Sequence, residues 1–108
     1  MKQWDFWTCD FAEAGPHPAV LISHPDRVTQ APLVNLLIAS SQKAGRPARE
    51  NEVVLNGADG LDWETLVKCD LMYLVEKEQL YQHRGSVSAA RRRALVQRLN
   101  ACFGFTRV

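Results

Sequence analysis

The sequence predicts a mainly β protein, a small barrel or curled sheet with one helix packed on it at the C-terminal end. Three observations carry that expectation. Residues 32–41, Pro-Leu-Val-Asn-Leu-Leu-Ile-Ala-Ser-Ser, form a short apolar run bounded by turn formers. Such a run reads as a strand buried on both faces or as a buried helix, and its length and β-branching favour the strand. Similar runs at residues 18–23 and 52–55 flank it, and the clearest helical spacing comes only at the end, with no alternation of strand and helix.

Trp4 to Phe11 (Trp-Asp-Phe-Trp-Thr-Cys-Asp-Phe) is the first strand. Period two sets Trp4, Phe6 and Thr8 on one face and Asp5, Trp7, Cys9 and Phe11 on the other. Aromatics on both faces mean that both are covered within the fold, or that one meets a partner or a base. Residues 12–17 connect to the second strand, where Pro16 and Pro18 restrict the backbone around His17. Residues 24–30 are polar and turn-forming, and lead into the central run. Residues 42–49 are the most loop-like stretch, and they are basic.

Beyond the strand at Val53, Asn56-Gly57 and Asp59-Gly60 signal turns. Asp62 is placed to cap one helical turn over residues 62–65. Residues 66–75 read as a strand and residues 79–81 as a shorter one, ended by Gly85. The helix starts at Ser88 as N-cap. It carries Leu95, Val96, Leu99, Cys102 and Phe103 on one face and stops at Gly104.

With 108 residues, 46% hydrophobic and 23% charged, the chain is expected to make one domain over residues 1–108. A formal net charge of +1 excludes a general polycation, so any contact with nucleic acid must use a local patch. No apolar run is long enough for a membrane span and no secretory leader is readable, so a cytoplasmic location is expected. Cys9, Cys69 and Cys102 stand apart and read as core cysteines. His17, His24 and His83 share no ligand spacing with them, so neither a metal nor another cofactor is expected.

Candidate chemistry gathers at strand ends. Lys68 and Asp70 lie two apart on a predicted strand and leave the same face. A carboxylate there can take a proton from a ribose 2′-hydroxyl while the ammonium stabilises charge on phosphorus; the plainer alternative is a surface salt bridge. Ser40 and Ser41 end the central strand with hydroxyls suited to a phosphate, or serve only as turn formers. His17 can act as acid, base or cation near neutral pH, or be structural. Arg91, Arg92 and Arg93 sit in the first turns of the helix, where the macrodipole disfavours cations. They read as an anion-binding cluster or as a solvated face.

These segments together resemble a family. Trp4-Asp5-Phe6-Trp7-Thr8-Cys9-Asp10-Phe11 looks like the opening Gly-Asp/Glu-Ile-Trp-x-Val-Asp-Phe of the MazF/PemK/Kid toxins of bacterial toxin–antitoxin systems. His17-Pro18-Ala19-Val20-Leu21-Ile22-Ser23 is similar to their Arg-Pro-Ala-Val-Val-Ile-Ser strand, and residues 34–41 to the strand ending in Thr-Ser. Gly60-Leu61-Asp62-Trp63-Glu64-Thr65-Leu66-Val67-Lys68-Cys69-Asp70 resembles Gly-Leu-x-x-x-Ser-Val-Val-Arg-Cys-Asp.

The resemblance implies an SH3-like barrel with a C-terminal α-helix, a homodimer, an acidic antitoxin as partner, and metal-independent cleavage of single-stranded RNA. By position, Asp70, Lys68 and His17 are the catalytic candidates, and Ser40 and Ser41 bind substrate. Four departures stand out: a shortened first loop, His17 in place of the arginine of Arg-Pro, Ser40 in place of the threonine, and Lys68 in place of the arginine before Cys69. The related fold of CcdB, which binds DNA gyrase through the end of its last helix, gives an alternative. Here Phe103-Gly104-Phe105 is similar in kind to that helix end, which makes Phe103 and Phe105 partner-binding candidates. A catalytically silent relative that only binds protein is a third reading.

Overall fold

A computed structural model describes residues 1–40 and 46–105. In chain order the elements are β1 (Asp5–Asp10), β2 (Pro16–Leu21), α1 (Pro25–Gln30), β3 (Leu33–Ala39), β4 (Glu52–Leu55), β5 (Thr65–Glu76), β6 (Leu80–Ser86) and α2 (Ala89–Phe103). The strands form one antiparallel sheet in the order β4-β5-β3-β2-β1-β6. The fold is the expected mainly β architecture with a C-terminal helix. The central run is β3, held between β2 and β5, and its Val34, Leu36 and Leu37 are fully buried.

Alternation along the strands builds a core on each face of the sheet. Phe6, Val20, Leu37 and Val67 pack under Leu95 of α2. Cys9, Ala19, Leu21, Leu36 and Val75 pack with Val28 of α1 on the other face. Trp4, Trp7 and Phe11 each lean partly buried on one of these cores, so both faces of β1 are covered within the chain. Edge strand β4 contributes Val53 and Leu55 to the same core as Phe6, which sits beside the opposite edge. The sheet must therefore curl strongly.

The edges come close at Gly85. A Cβ there would stand 2.5 Å from the carbonyl oxygen of Asp59, so only glycine lets β6 approach the turn that follows β4. Gly85 thus lies inside β6 instead of ending it, and the strand runs well beyond the expected residues 79–81. Two register shifts between β1 and β6 accompany this curl, one of them at Gln82, which has φ 56°.

Other local expectations need correction. Residues 24–30 fold into α1, not a turn: Pro25 suits the first helical position, and Asp26 N donates to His24 Nδ1 at 3.1 Å. The helical turn expected at residues 62–65 is absent. A 3-10 turn forms earlier, at Gly57–Asp59, because Asn56 and Asp59 cap each other's backbone and Gly60 takes the left-handed conformation.

Ser88 is the N-cap of α2 by position, but its side chain makes no cap bond. The buried Asp59 carboxylate does that work by accepting from Ser88 N at 2.9 Å. On α2, Leu95 is fully buried and Leu99 packs on the core, whereas Val96, Cys102 and Phe103 are exposed. Cys102 is therefore not a core cysteine. Burial pushes the thiols of Cys9 to about 11 and Cys69 to about 12, which keeps both unreactive near neutral pH.

Candidate active site

The geometry around Lys68 and Asp70 follows from an irregularity in β5. Its pairing with β3 jumps from Ala39–Val67 to Leu37–Met72, so β5 bows away from β3 over residues 68–71. Val67 and Cys69 point into the core under α2, and Lys68 and Asp70 leave the opposite side, both exposed. They share a face as expected, yet they form no ion pair with each other within 4 Å. Lys68 has no ion-pair partner among the described residues. Asp70 Oδ1 accepts a hydrogen bond from Asn51 Nδ2 at 2.9 Å, and the Asn51 carbonyl accepts from Cys69 N at 2.7 Å. Asn51 thus grips β5 by main chain and side chain and orients the Asp70 carboxylate.

Ser40 ends β3 beside the same stretch. Its N donates to Leu66 O at 3.1 Å, its Oγ lies 2.8 Å from Thr65 Oγ1, and Leu66 N donates to that Oγ at 3.3 Å. The hydroxyl is held in the seam between β3 and β5, two residues along the strand from Lys68. Ser41 lies outside the described residues. Continued by two residues beyond Ala19–Ile38, the β2–β3 register sets His17 across from Ser40. Lys68 and Asp70 thus share one face of β5, with Ser40 at the end of the neighbouring strand β3 and His17 on β2 beyond it.

His17 is placed differently from an arginine reaching for phosphate. The first loop is a tight 3-10 turn at Ala12–Ala14, and His17 Nε2 donates to Ala14 O at 3.0 Å. Nδ1 is buried with no hydrogen-bond partner among the described residues. Nε2 is occupied by the Ala14 carbonyl, and the ring stands edge-on to Phe11, with centroids 6.3 Å apart.

The arginine cluster is partly absorbed by structure. Arg91 Nε lies 3.8 Å from Asp59 Oδ2, and Arg92 Nε donates to Val87 O at 2.8 Å. These contacts explain why cations tolerate the first turn of α2: the buried Asp59 carboxylate offsets the helix N-terminus there. Arg93 is left exposed. Phe103 and Phe105 stack on each other at 5.3 Å, 40% and 62% exposed.

Sequence reasoning missed the loop side of the site. Glu52, paired across the ladder with Lys68, is buried and accepts from Arg46 Nη1 at 2.7 Å, Arg46 Nη2 at 2.9 Å and Arg49 N at 2.9 Å. The Arg46 guanidinium holds its carboxyl down at about 2. The available signal was a glutamate opening an apolar strand directly after a basic loop.

A family model for the PemK-like, MazF-like toxins of type II toxin–antitoxin systems matches residues 2–103. The chain belongs to this family. Solved structures agree in fold along nearly the whole length. An endoribonuclease in complex with its cognate antitoxin, from a mycobacterial species, is 19% identical with a TM-score of 0.83, covering 97% of this chain and 96% of that one. The Mycobacterium tuberculosis toxin MazF-mt6 is 16% identical with a TM-score of 0.78, covering 93% and 96%. A chain of a MazE–MazF complex from Deinococcus radiodurans is 17% identical with a TM-score of 0.73, covering 96% and 95%. No curated protein sequence matches. In this MazF-like chain, the loop before β2 is the short Ala12–Ala14 turn, and the residue before Cys69 is Lys68, which has no ion-pair partner among the described residues.

Proposed function

We propose that this MazF-like toxin is an endoribonuclease acting on single-stranded RNA, with Asp70 as base and Lys68 as the cation that receives the scissile phosphate. The observation that carries the reading is the β5 bow, which presents on one exposed face an oriented carboxylate and an ammonium with no ion-pair partner among the described residues. Asp70 takes the proton of a ribose 2′-hydroxyl, whose oxygen bonds to phosphorus. Lys68 stabilises the charge that develops on the phosphoryl oxygens, and the bond to the 5′-oxygen breaks as that oxygen takes up a proton. Ser40 flanks the phosphate in this reading, and His17 serves to hold the short first turn instead of contacting substrate. The chemistry runs on proton transfer and fixed charge, so it proceeds in the presence of a chelator.

The mycobacterial endoribonuclease was solved with its cognate antitoxin, and that likeness supports an antitoxin as protein partner here, with a cytoplasmic site of action. An acidic antitoxin segment suits Arg93, whose positive charge is exposed. Binding of DNA gyrase through Phe103 and Phe105 finds no support in these relatives.

The test is a labelled panel of single-stranded RNAs incubated with chelator, wild type against Asp70→Ala. Wild type is expected to cut at a limited set of sites and the variant to be at least about 100-fold slower, the scale typical of losing a positioned base. Equal cleavage by both proteins, or none by wild type, removes the proposal.

A further inference from the structure

Glu52 and Lys68 are direct cross-strand partners on β4 and β5. Side chains at such positions leave the same face with their Cβ atoms about 5 Å apart, and opposite charges placed so attract. A carboxylate left to itself at this point would neutralise the ammonium. It does not, because Arg46 takes Oε1 and Oε2 together, at 2.7 and 2.9 Å, and Arg49 N adds a third bond to Oε1.

The planar fork of a guanidinium matches two oxygens of one carboxylate, a geometry an ammonium cannot offer. The result is a Glu52 side chain only 2% exposed and turned back on its own loop, while Lys68 remains exposed, with no ion-pair partner among the described residues. The pairing is local in sequence, between a loop residue and the first residue of β4 six positions on.

We infer that Arg46 is a positioning residue of this toxin: it withdraws Glu52 from Lys68 and so leaves the ammonium to receive the substrate phosphate. The inference rests on the proposed role of Lys68 in cleavage. Arg46 touches neither substrate nor the reacting atoms, and acts only through the charge it occupies. Removing it frees Glu52 to swing onto Lys68. Removing Glu52's charge as well makes Arg46 dispensable.

The experiment compares wild type, Lys68→Ala, Arg46→Met, Glu52→Gln and the Arg46→Met/Glu52→Gln double variant. Each is checked for cooperative thermal unfolding. Two readouts follow: kcat and KM on a cleaved RNA, and the rate at which an amine-acylating reagent labels Lys68, read by peptide mass spectrometry. Arg46→Met is expected to lose about tenfold in kcat/KM and to show Lys68 labelled several-fold more slowly, while Glu52→Gln stays near wild type. The double variant is expected to recover both rates to within about threefold of wild type.

A clamp that only folds the loop predicts otherwise: the double variant would be as impaired as Arg46→Met, and that result overturns the inference. Wild-type labelling and cleavage in Arg46→Met overturn it as well. If wild type cuts no RNA, or Lys68→Ala cuts as well as wild type, the nuclease reading fails by itself. The labelling rates then still decide whether Arg46 keeps Lys68 unpaired.

Discussion

Single side chains set the electrostatics of this toxin, and Glu52 is the most perturbed of the carboxylates. Its pKa falls from 4.5 to about 2, first through the Arg46 hydrogen bonds and then, against the opposing cost of burial, through Arg49. A carboxyl lowered on folding adds stability that is complete above its unfolded pKa, near 4.5, and is lost as pH falls towards 2. Wild type is therefore expected to melt higher than Glu52→Gln at pH 6, and the gap should shrink as pH drops from 5 to 2. Thermal melts at four pH values check this, and a constant gap would contradict it. Neither Glu52 nor Arg46 stood out in the sequence, because their pairing depends on a loop that turns back on the strand. Lys68 and Asp70 were legible because period two fixes a shared face wherever the strand runs. That they avoid one another was not legible, since Asn51 and the β5 bow are tertiary features.

At the scale of elements, α2 is tied to the barrel by a residue from another loop. Asp59 accepts from Ser88 N and Asn56 N and lies 3.8 Å from Arg91, so one buried carboxylate closes a 3-10 turn and caps a helix together. Asp59→Ala is expected to destabilise the protein by about 2–3 kcal/mol, leaving buried donors unpaired. Ser88→Ala should cost under about 0.5 kcal/mol, because the Ser88 side chain makes no cap bond. Urea unfolding of both variants decides between them; a larger loss at Ser88 would mean that the serine caps the helix after all. The sequence shows the helix and its Gly104 stop, since both are local signals. It places the N-cap residue correctly at Ser88 but not the group that accepts its N–H, because that carboxylate comes from nearly thirty residues earlier. Helix α1 was missed for a related reason: a histidine ring nitrogen serves as its cap, outside the usual Ser, Thr, Asp and Asn.

Across the whole molecule, the succession of short strands, the curl and the final helix were legible in outline from apolar runs and turn residues, and the family resemblance gave the barrel; the order of strands in the sheet was not legible. The closeness of β6 to the turn at Asp59 was not, because Gly85 reads in sequence as a terminator. The second half of β5 exposes Leu71, Met72 and Leu74, and we propose that this apolar stretch joins two copies of the chain. Light scattering should report a dimer at micromolar concentration that Leu74→Glu weakens, and a monomeric wild type would remove that proposal. The central claim is that Asp70 activates a ribose 2′-hydroxyl. It is tested most directly by single-turnover cleavage, in chelator, of an RNA and of the same RNA carrying one 2′-deoxynucleotide on the 5′ side of the cut. The account predicts that the RNA is cut to leave a 2′,3′-cyclic phosphate and that the deoxy-substituted strand stays whole at that position. Cleavage of the deoxy-substituted strand at a comparable rate would contradict it.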